Sequence, residues 1–341
     1  MQAARIHEDL TLRLDDVDVP QPGPGEVLVK IHAAGVCGTD LHILDGMIKP
    51  DPYPMTLGHE AAGVVESAGD GASLKPGDRV AIYNKIFCGH CEQCLKGRQN
   101  ICDNEPDQLG FNRDGGDAEY VVVPEQNAVG IPGGVDLATA SVLTCAGMTA
   151  MHAAKLSGLR MGDTAVVDGI GGVGILVAQA AAFAGARVIA VADSAEKIQL
   201  AEDHGAAGGV LVDTPEGYDT LADRVRELTD GRGTDVFFEL VGTTASMTAG
   251  IRCLAKGGRF VSTGYTDQTI QIHPIEFILP ESSFISTVAA TRLDLQDALA
   301  LASTGAMTVP IAGRYPLDGV AEALAVLRKR AVLGRQILEI A

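Results

Sequence analysis

A glycine turn set between a strand and a helix constrains this chain more than any other feature. Residues 164–168 (TAVVD) are apolar and β-rich, Gly169-Ile170-Gly171-Gly172-Val173-Gly174 follows, and the run ILVAQAAAFAG continues as a helix. Each glycine answers a steric need. The first allows the tight turn, the second lets backbone amides approach a pyrophosphate, and the third lets the helix pack closely on the strand. The helix N-terminus adds unpaired N–H groups and the positive end of a dipole. Alone, the motif fits an ordinary glycine turn as well as a nucleotide site. Here the pattern recurs downstream as RVIAVA with SAEKIQLAEDHG, GVLVD with TLADRVRELT, DVFFEL with a helix over 245–255, and RFVST. Strands alternating with helices of about ten residues predict βαβ crossovers, a parallel sheet and a dinucleotide site in an α/β protein.

The N-terminal part has a different texture. Its first ~140 residues read as strands and loops, with β-rich stretches at 26–33, 62–66, 79–82 and 119–123 and a Pro/Gly-punctuated loop at 20–25. From residue 137, LATASVLTCAGMTAMHAAKL has the mixed i+3/i+4 apolar spacing of a helix. The 341 residues suit about two domains. A formal charge of −18 and the absence of tryptophan argue against nucleic acid, which needs basic residues on phosphates and aromatic platforms for bases. The first sixteen residues carry charge from the fifth onward and lack an apolar signal core, and the longest apolar runs fall short of a membrane span. A cytoplasmic chain is expected.

Seven cysteines remain to be explained. Cys88, Cys91, Cys94 and Cys102 lie within fifteen residues, and thiolates three apart on a turning loop can converge on one tetrahedral ion. A Cys₄ set leaves no open coordination position, so its predicted role is structural. Cys37 in GVCGTDLH, His59 in LGHEAAG and Cys145 in LTCAGMTA stand apart. Each alone reads as a buried small hydrophobe or an ordinary histidine. Together they would form a Cys₂His set with one position left for water or substrate, although spacing alone does not bring them together. Cys253 is left as a buried hydrophobe. At the end of the second βα-unit strand, Asp193 stands one position later than the simplest expectation for an acid on the adenosine ribose, and it equally suits an N-cap for a helix starting at Ser194. No arginine follows within Ser194-Ala195-Glu196, which favours NAD over NADP.

These motifs, in this order, resemble the zinc-dependent medium-chain alcohol dehydrogenases. G-V-C-G-T-D-L-H at 35–42 is similar to the family's first zinc-ligand segment, and G-H-E-A-A-G at 58–63 to its zinc signature. The Cys₄ lobe, D-G-G-D-A-E-Y at 114–120 and Cys145 ahead of the glycine turn follow in the family's order. The resemblance implies a GroES-like catalytic domain of residues 1–140 with 290–341, around an NAD-binding Rossmann domain of residues 141–289. It places the active site in the cleft between them. It implies two Zn²⁺ per chain, one on Cys37, His59 and Cys145 with Glu60 as a transient ligand, the other on the four clustered cysteines. Asp40 would orient His59. Thr39 would take the alcohol proton and pass it through the nicotinamide ribose to His42. Thr149 would pack beside the nicotinamide, Gly264 would be among the cofactor-binding residues, Lys197 would touch the adenosine ribose, and Arg335 the pyrophosphate. Asn84, Met47, Ile48, Tyr53, Phe111 and Leu279 would wall the substrate pocket.

The implied reaction is hydride transfer between a primary or secondary alcohol and NAD, reversible to aldehyde or ketone reduction, with zinc as Lewis acid. A polyol or threonine-like dehydrogenase of the same superfamily is the alternative within enzymes, although polyol relatives carry glutamate where Cys145 stands. A zinc-stabilised, nucleotide-binding redox sensor is the alternative outside them. The stretch FISTVAA at 284–290 would form a sheet edge of the kind through which relatives pair, giving a homodimer or homotetramer.

Overall fold

The computed structural model describes residues 1–104 and 107–340. The chain forms two compact units, Met1–Met148 with Ala290–Ala341, and Thr149–Ala289. Residues 141–148, expected in the second, belong to the first. The helix Leu137–Val142 lies against two of the first unit's long strands, and the following turn is continuous with it.

The first unit opens with β1 (Gln2–Ile6) and β2 (Leu12–Asp16), an antiparallel pair joined on its other side by β4 (Met55–Thr56). Between them runs β3 (Glu26–Val36), the longest strand of the chain. It pairs antiparallel with β5 (Ala61–Ala68) and with β7 (Tyr120–Pro124), while β6 (Arg79–Ile82) joins β5 to β8 (Ala128–Gly130). One face of this sheet supplies the core. Val27, Val29 and Ile31 alternate inward and meet Val65, Val80, Ile82, Val121 and Val123.

The second unit is built on a six-stranded sheet in which every neighbouring pair runs parallel: β9 (Thr164–Asp168), β10 (Arg187–Ala192), β11 (Gly208–Leu211), β12 (Thr234–Glu239), β13 (Leu254–Ser262) and β14 (Ser283–Ser286). Their order is β11-β10-β9-β12-β13-β14, so the winding reverses between β9 and β12. That reversal opens the crevice in which doubly wound sheets bind ligands. The helix Gly174–Phe183 is apolar apart from Gln179, and the protein buries eight of its ten residues. Phe237, Phe260 and Phe284 are register partners on three adjacent strands, and their rings stack at 5.7 and 5.1 Å. The strand expected at 284–290 is the shorter β14, and it is an edge.

The chain re-enters the first unit at Ala290, whose carbonyl accepts a hydrogen bond from the fully buried Tyr83 hydroxyl at 2.8 Å. It adds β15 (Ile311–Pro316) and β16 (Arg335–Glu339), and β16 pairs antiparallel with the far end of β3. The helical run Leu137–Leu156 is long and apolar enough to cross a membrane by length and composition, but most of it is buried inside the protein.

Candidate metal centres and dinucleotide crevice

β3 ends where the first centre begins. Cys37 caps the helix Gly38–Leu44, and Asp40 at the third helical position accepts the Cys37 backbone N–H at 2.8 Å on one oxygen. Its other oxygen lies 3.2 Å from His59 Nδ1. This carboxylate therefore caps the Cys37 turn and stands beside the His59 ring as a charge partner. Both His59 ring nitrogens are buried and neither makes a hydrogen bond. Beside His59, Asn84 donates its side-chain amide to the His59 carbonyl at 3.0 Å, and the Phe111 ring packs 5.7 Å from the imidazole.

Cys145 arrives from a π-helical turn, Leu143–Gly147, between the helices Leu137–Val142 and Met148–Leu156. Wide turns of this kind collect at functional positions because they re-aim a side chain out of the regular helical register. The ligand atoms of Cys37, His59, Glu60 and Cys145 all lie within 4.8 Å of one another. A hydrogen bond from Cys145 holds the Cys37 thiol well below its ordinary range, and His59 reinforces it, so the thiolate that a metal requires is favoured. The same contact pushes Cys145 up. Burial works against charge on His59, but the Asp40 carboxylate and Cys37 outweigh it and raise the imidazole. Two sulfurs, an orphaned imidazole nitrogen and a neighbouring carboxylate make a soft, buried, open set that suits zinc.

Glu60 is fully buried, and Arg335 from β16 gives its Nη2 to both carboxylate oxygens. Gly35 makes room for it, since a β-carbon there would lie 2.0 Å from Glu60 Oε2. Burial raises the Glu60 carboxyl to about 7 against the pull of Arg335. Sequence reasoning gave Arg335 to a pyrophosphate and did not foresee this ion pair. No spacing signal links positions 60 and 335.

The second centre is carried by the segment between β6 and β7 in the chain. Sγ–Sγ separations of 3.9 Å for Cys88–Cys94, 3.8 Å for Cys91–Cys102 and 3.6 Å for Cys88–Cys102 match the edge of a tetrahedron, about 3.8 Å for a Zn–S bond of about 2.3 Å. Backbone amides point at the sulfurs: the Cys91 N–H at Cys88 Sγ (3.3 Å), the Cys94 N–H at Cys91 Sγ (3.4 Å) and the Cys88 N–H at Cys102 Sγ (3.5 Å). Such donors stabilise thiolates. All seven cysteines are free, so no disulfide competes.

In the second unit the glycine turn has the expected steric logic. Gly169 has φ +98°, a β-carbon on Gly174 would sit 2.0 Å from the Gly169 carbonyl oxygen, and one on Gly171 would meet nothing within 4 Å. The middle glycine thus faces the open space a pyrophosphate needs. Gly264 is packed against the Leu240–Gly242 backbone, with its own amide on the Glu239 carbonyl at 3.0 Å. Ser194, not Asp193, caps the helix Ala195–Asp203, accepting from the Lys197 amide. The N-cap reading of Asp193 is therefore corrected. Its half-exposed carboxylate stands past the end of β10 and meets Lys197 Nζ at 2.7 Å.

The remaining expected residues divide. Thr39 Oγ1 lies 3.6 Å from Cys37 Sγ, and His42 follows three residues on along the same helix. Thr149 is buried one helical turn after Cys145. Ile48, Tyr53 and Phe111 are partly buried against Ile6, Ile43, Met55 and Leu57, and Asn84 donates its amide to the His59 carbonyl. Met47 and Leu279 are exposed.

A doubly wound sheet with a phosphate-ready turn, joined in one chain to a closed and an open metal set, defines a metal-dependent dehydrogenase. Comparison with known proteins agrees. The alcohol dehydrogenase GroES-like domain matches residues 23–133, and the zinc-binding dehydrogenase domain matches residues 172–304. The chain is 36% identical to an NAD-dependent alcohol dehydrogenase of Sulfolobus acidocaldarius and 34% identical to an alcohol dehydrogenase of Geobacillus stearothermophilus, covering all of both chains in each case. A cobalt- and zinc-bound thermostable alcohol dehydrogenase from Pyrobaculum aerophilum superposes with a TM-score of 0.89 at 31% identity over 99% of each chain. The chain belongs to the zinc-dependent medium-chain alcohol dehydrogenase family.

Proposed function

We infer that this chain is an enzyme that moves hydride between a primary or secondary alcohol and NAD, with one catalytic and one structural zinc. The observation that carries this reading is the open set of Cys37, His59, Glu60 and Cys145, with both His59 ring nitrogens buried and neither in a hydrogen bond. Zinc bound there supplies Lewis-acid polarisation of the substrate oxygen. The protein's own residues do the rest. Asp40 keeps the His59 ring turned so that Nε2 faces the ligand set. Thr39 holds the substrate hydroxyl proton at Oγ1, and His42, on the same helix, is the base through which that proton leaves for solvent. Thr149 and Gly264 shape the nicotinamide side.

For the cofactor, the Gly169–Gly174 turn and the helix after it cradle the pyrophosphate. Asp193 accepts the adenosine ribose hydroxyls with Lys197 beside it. With Nη2 given to Glu60, any pyrophosphate contact from Arg335 falls to its other nitrogens. Free cysteines accord with a cytoplasmic location. Exposed Ile275, Ile278, Leu279 and Phe284 at and near the β14 edge support pairing of copies into a dimer or tetramer.

Initial rates over a panel of simple alcohols, diols, threonine and the matching carbonyls, with NAD(H) and NADP(H), test this reading. Simple alcohols with NAD should lead. Asp193→Ser should lose roughly tenfold in kcat/KM with NAD and improve with NADP, because it removes both an acceptor for the ribose hydroxyls and a charge that repels a 2′-phosphate. An unchanged cofactor ratio would remove Asp193 from the ribose site.

A further inference from the structure

Two buried carboxylates in the second unit have no part in the metal chemistry. Asp168 ends β9 and Glu239 ends β12, and they are register partners across the two strands between which the sheet reverses. Asp168 immediately precedes Gly169, so the pair forms the floor beneath the glycine turn. Asp168 is 1% exposed and Glu239 is fully buried. Two ionised carboxylates side by side and away from water repel each other and lose hydration.

Their hydrogen bonds divide them into different roles. Glu239 Oε1 accepts from the Val241 amide (3.0 Å), the Gly242 amide (2.6 Å) and Ser246 Oγ (2.8 Å). Three donors on one oxygen suit the ionised form. Asp168 Oδ1 accepts only the Tyr218 hydroxyl, at 3.1 Å. Asp168 Oδ2 and Glu239 Oε2 are both buried without a partner. A bare pair leaves two acceptors unsatisfied, whereas one added proton supplies the missing donor.

We propose that Asp168 is kept as a carboxylic acid whose Oδ2 proton is shared with Glu239 Oε2, so that the floor of the dinucleotide crevice carries one negative charge instead of two. Asp168 is then a positioning residue for the cofactor. The inference rests on the reading of that crevice as the NAD site. Its energetics are coherent. Burial pushes the Asp168 carboxyl well above the usual carboxylate range and Glu239 adds to the effect, while burial raises Glu239 against its three donors. Around the pair stand Tyr218 from the turn Pro215–Thr220, Asp193 past β10 acting on Tyr218, and Cys253 at the end of the helix Thr244–Cys253. The helix Gly174–Phe183 has no titratable side chain. Arg226 acts on Cys253, but among the described residues no cation contributes to either carboxyl shift. Loss of the proton at alkaline pH places a second negative charge under the pyrophosphate and weakens the cofactor. It also follows that the native chain holds a proton that the unfolded chain releases at about pH 3.9, so this group's contribution to stability falls as pH rises above that value.

Fluorescence titration of the zinc-loaded enzyme with NADH from about pH 6 to about pH 10 reads the effect. The wild type should lose affinity roughly threefold to tenfold on the alkaline side. Asp168→Asn, which keeps a donor at the same place and cannot ionise, should flatten that limb and raise thermal stability at alkaline pH. Tyr218→Phe should move the limb to higher pH, because it removes the only donor that favours the ionised form. In the infrared, the wild type at neutral pH should show the carbonyl band of a protonated carboxylic acid that Asp168→Asn lacks. Absence of that band, or an alkaline limb unchanged in Asp168→Asn, overturns the proposal. Failure of NADH to bind the wild type at any pH overturns the cofactor reading instead, and the infrared band still decides the shared proton.

Discussion

His59→Ala should lower turnover with alcohols by at least about three orders of magnitude while leaving the second unit folded and able to bind NADH. The expectation follows from the division of labour in the chain. His59, Cys37 and Cys145 lie in the first unit, and the glycine turn belongs to the second. Removing the imidazole takes away the one nitrogen of the open set, and Asp40 loses the ring it orients. Cys37→Ser should act equally strongly, since a serine hydroxyl does not supply the thiolate that the site favours. Metal analysis should find the zinc content halved, with the Cys₄ ion retained, because a closed site holds metal more tightly than an open one. NADH titration and the melting temperature should change little. Substantial residual turnover in a variant lacking the exchangeable ion would sink the assignment.

The largest loss of stability should come from Arg335→Met. The guanidinium is buried against a fully buried Glu60, and its removal strands a carboxylate with no compensating cation. Breaking a buried pair in this way costs about 3–5 kcal/mol, far more than the net worth of the intact pair. Glu60 is already raised to about 7, so the variant can recover part of the loss by taking up a proton. Its native state then binds more protons than its unfolded state, and its stability should fall as pH rises through neutrality. Glu60→Gln in the same background should restore most of the loss. Urea denaturation at two pH values measures all three chains. A loss in Arg335→Met below about 1 kcal/mol at alkaline pH would mean that the pair does not hold the ligand loop to β16.

Both the parallel sheet and the closed metal site were legible in the residues because each depends on local pattern. TAVVD, the glycine turn and the apolar helix lie within some twenty residues, and the four sulfurs lie within fifteen. The family resemblance, not spacing, brought Cys37, His59 and Cys145 together. Features made by distant partners escaped. The β1–β2 pair carries Arg5, Arg13, Asp15 and Asp16, whose charge hides the period-two pattern that marks a half-buried strand. Cys145 sits in a π-turn that apolar periodicity reads as plain helix. The hydrogen bond from the Asn84 amide to the His59 carbonyl, across twenty-five residues, left no mark in the sequence. Asp193 and Ser194 are both good caps, and only the fold chooses between them. The Glu60–Arg335 and Asp168–Glu239 pairs depend on strand pairings that no local window contains.

The zinc-loaded enzyme is given NAD and an alcohol deuterated at its carbinol carbon, and the NADH formed is analysed by mass spectrometry. Direct hydride transfer predicts that every NADH carries the deuterium, with none appearing in water, and that His59→Ala forms no labelled NADH above background. Unlabelled NADH, or no alcohol-dependent NADH at all from the zinc-loaded wild type, would contradict the account.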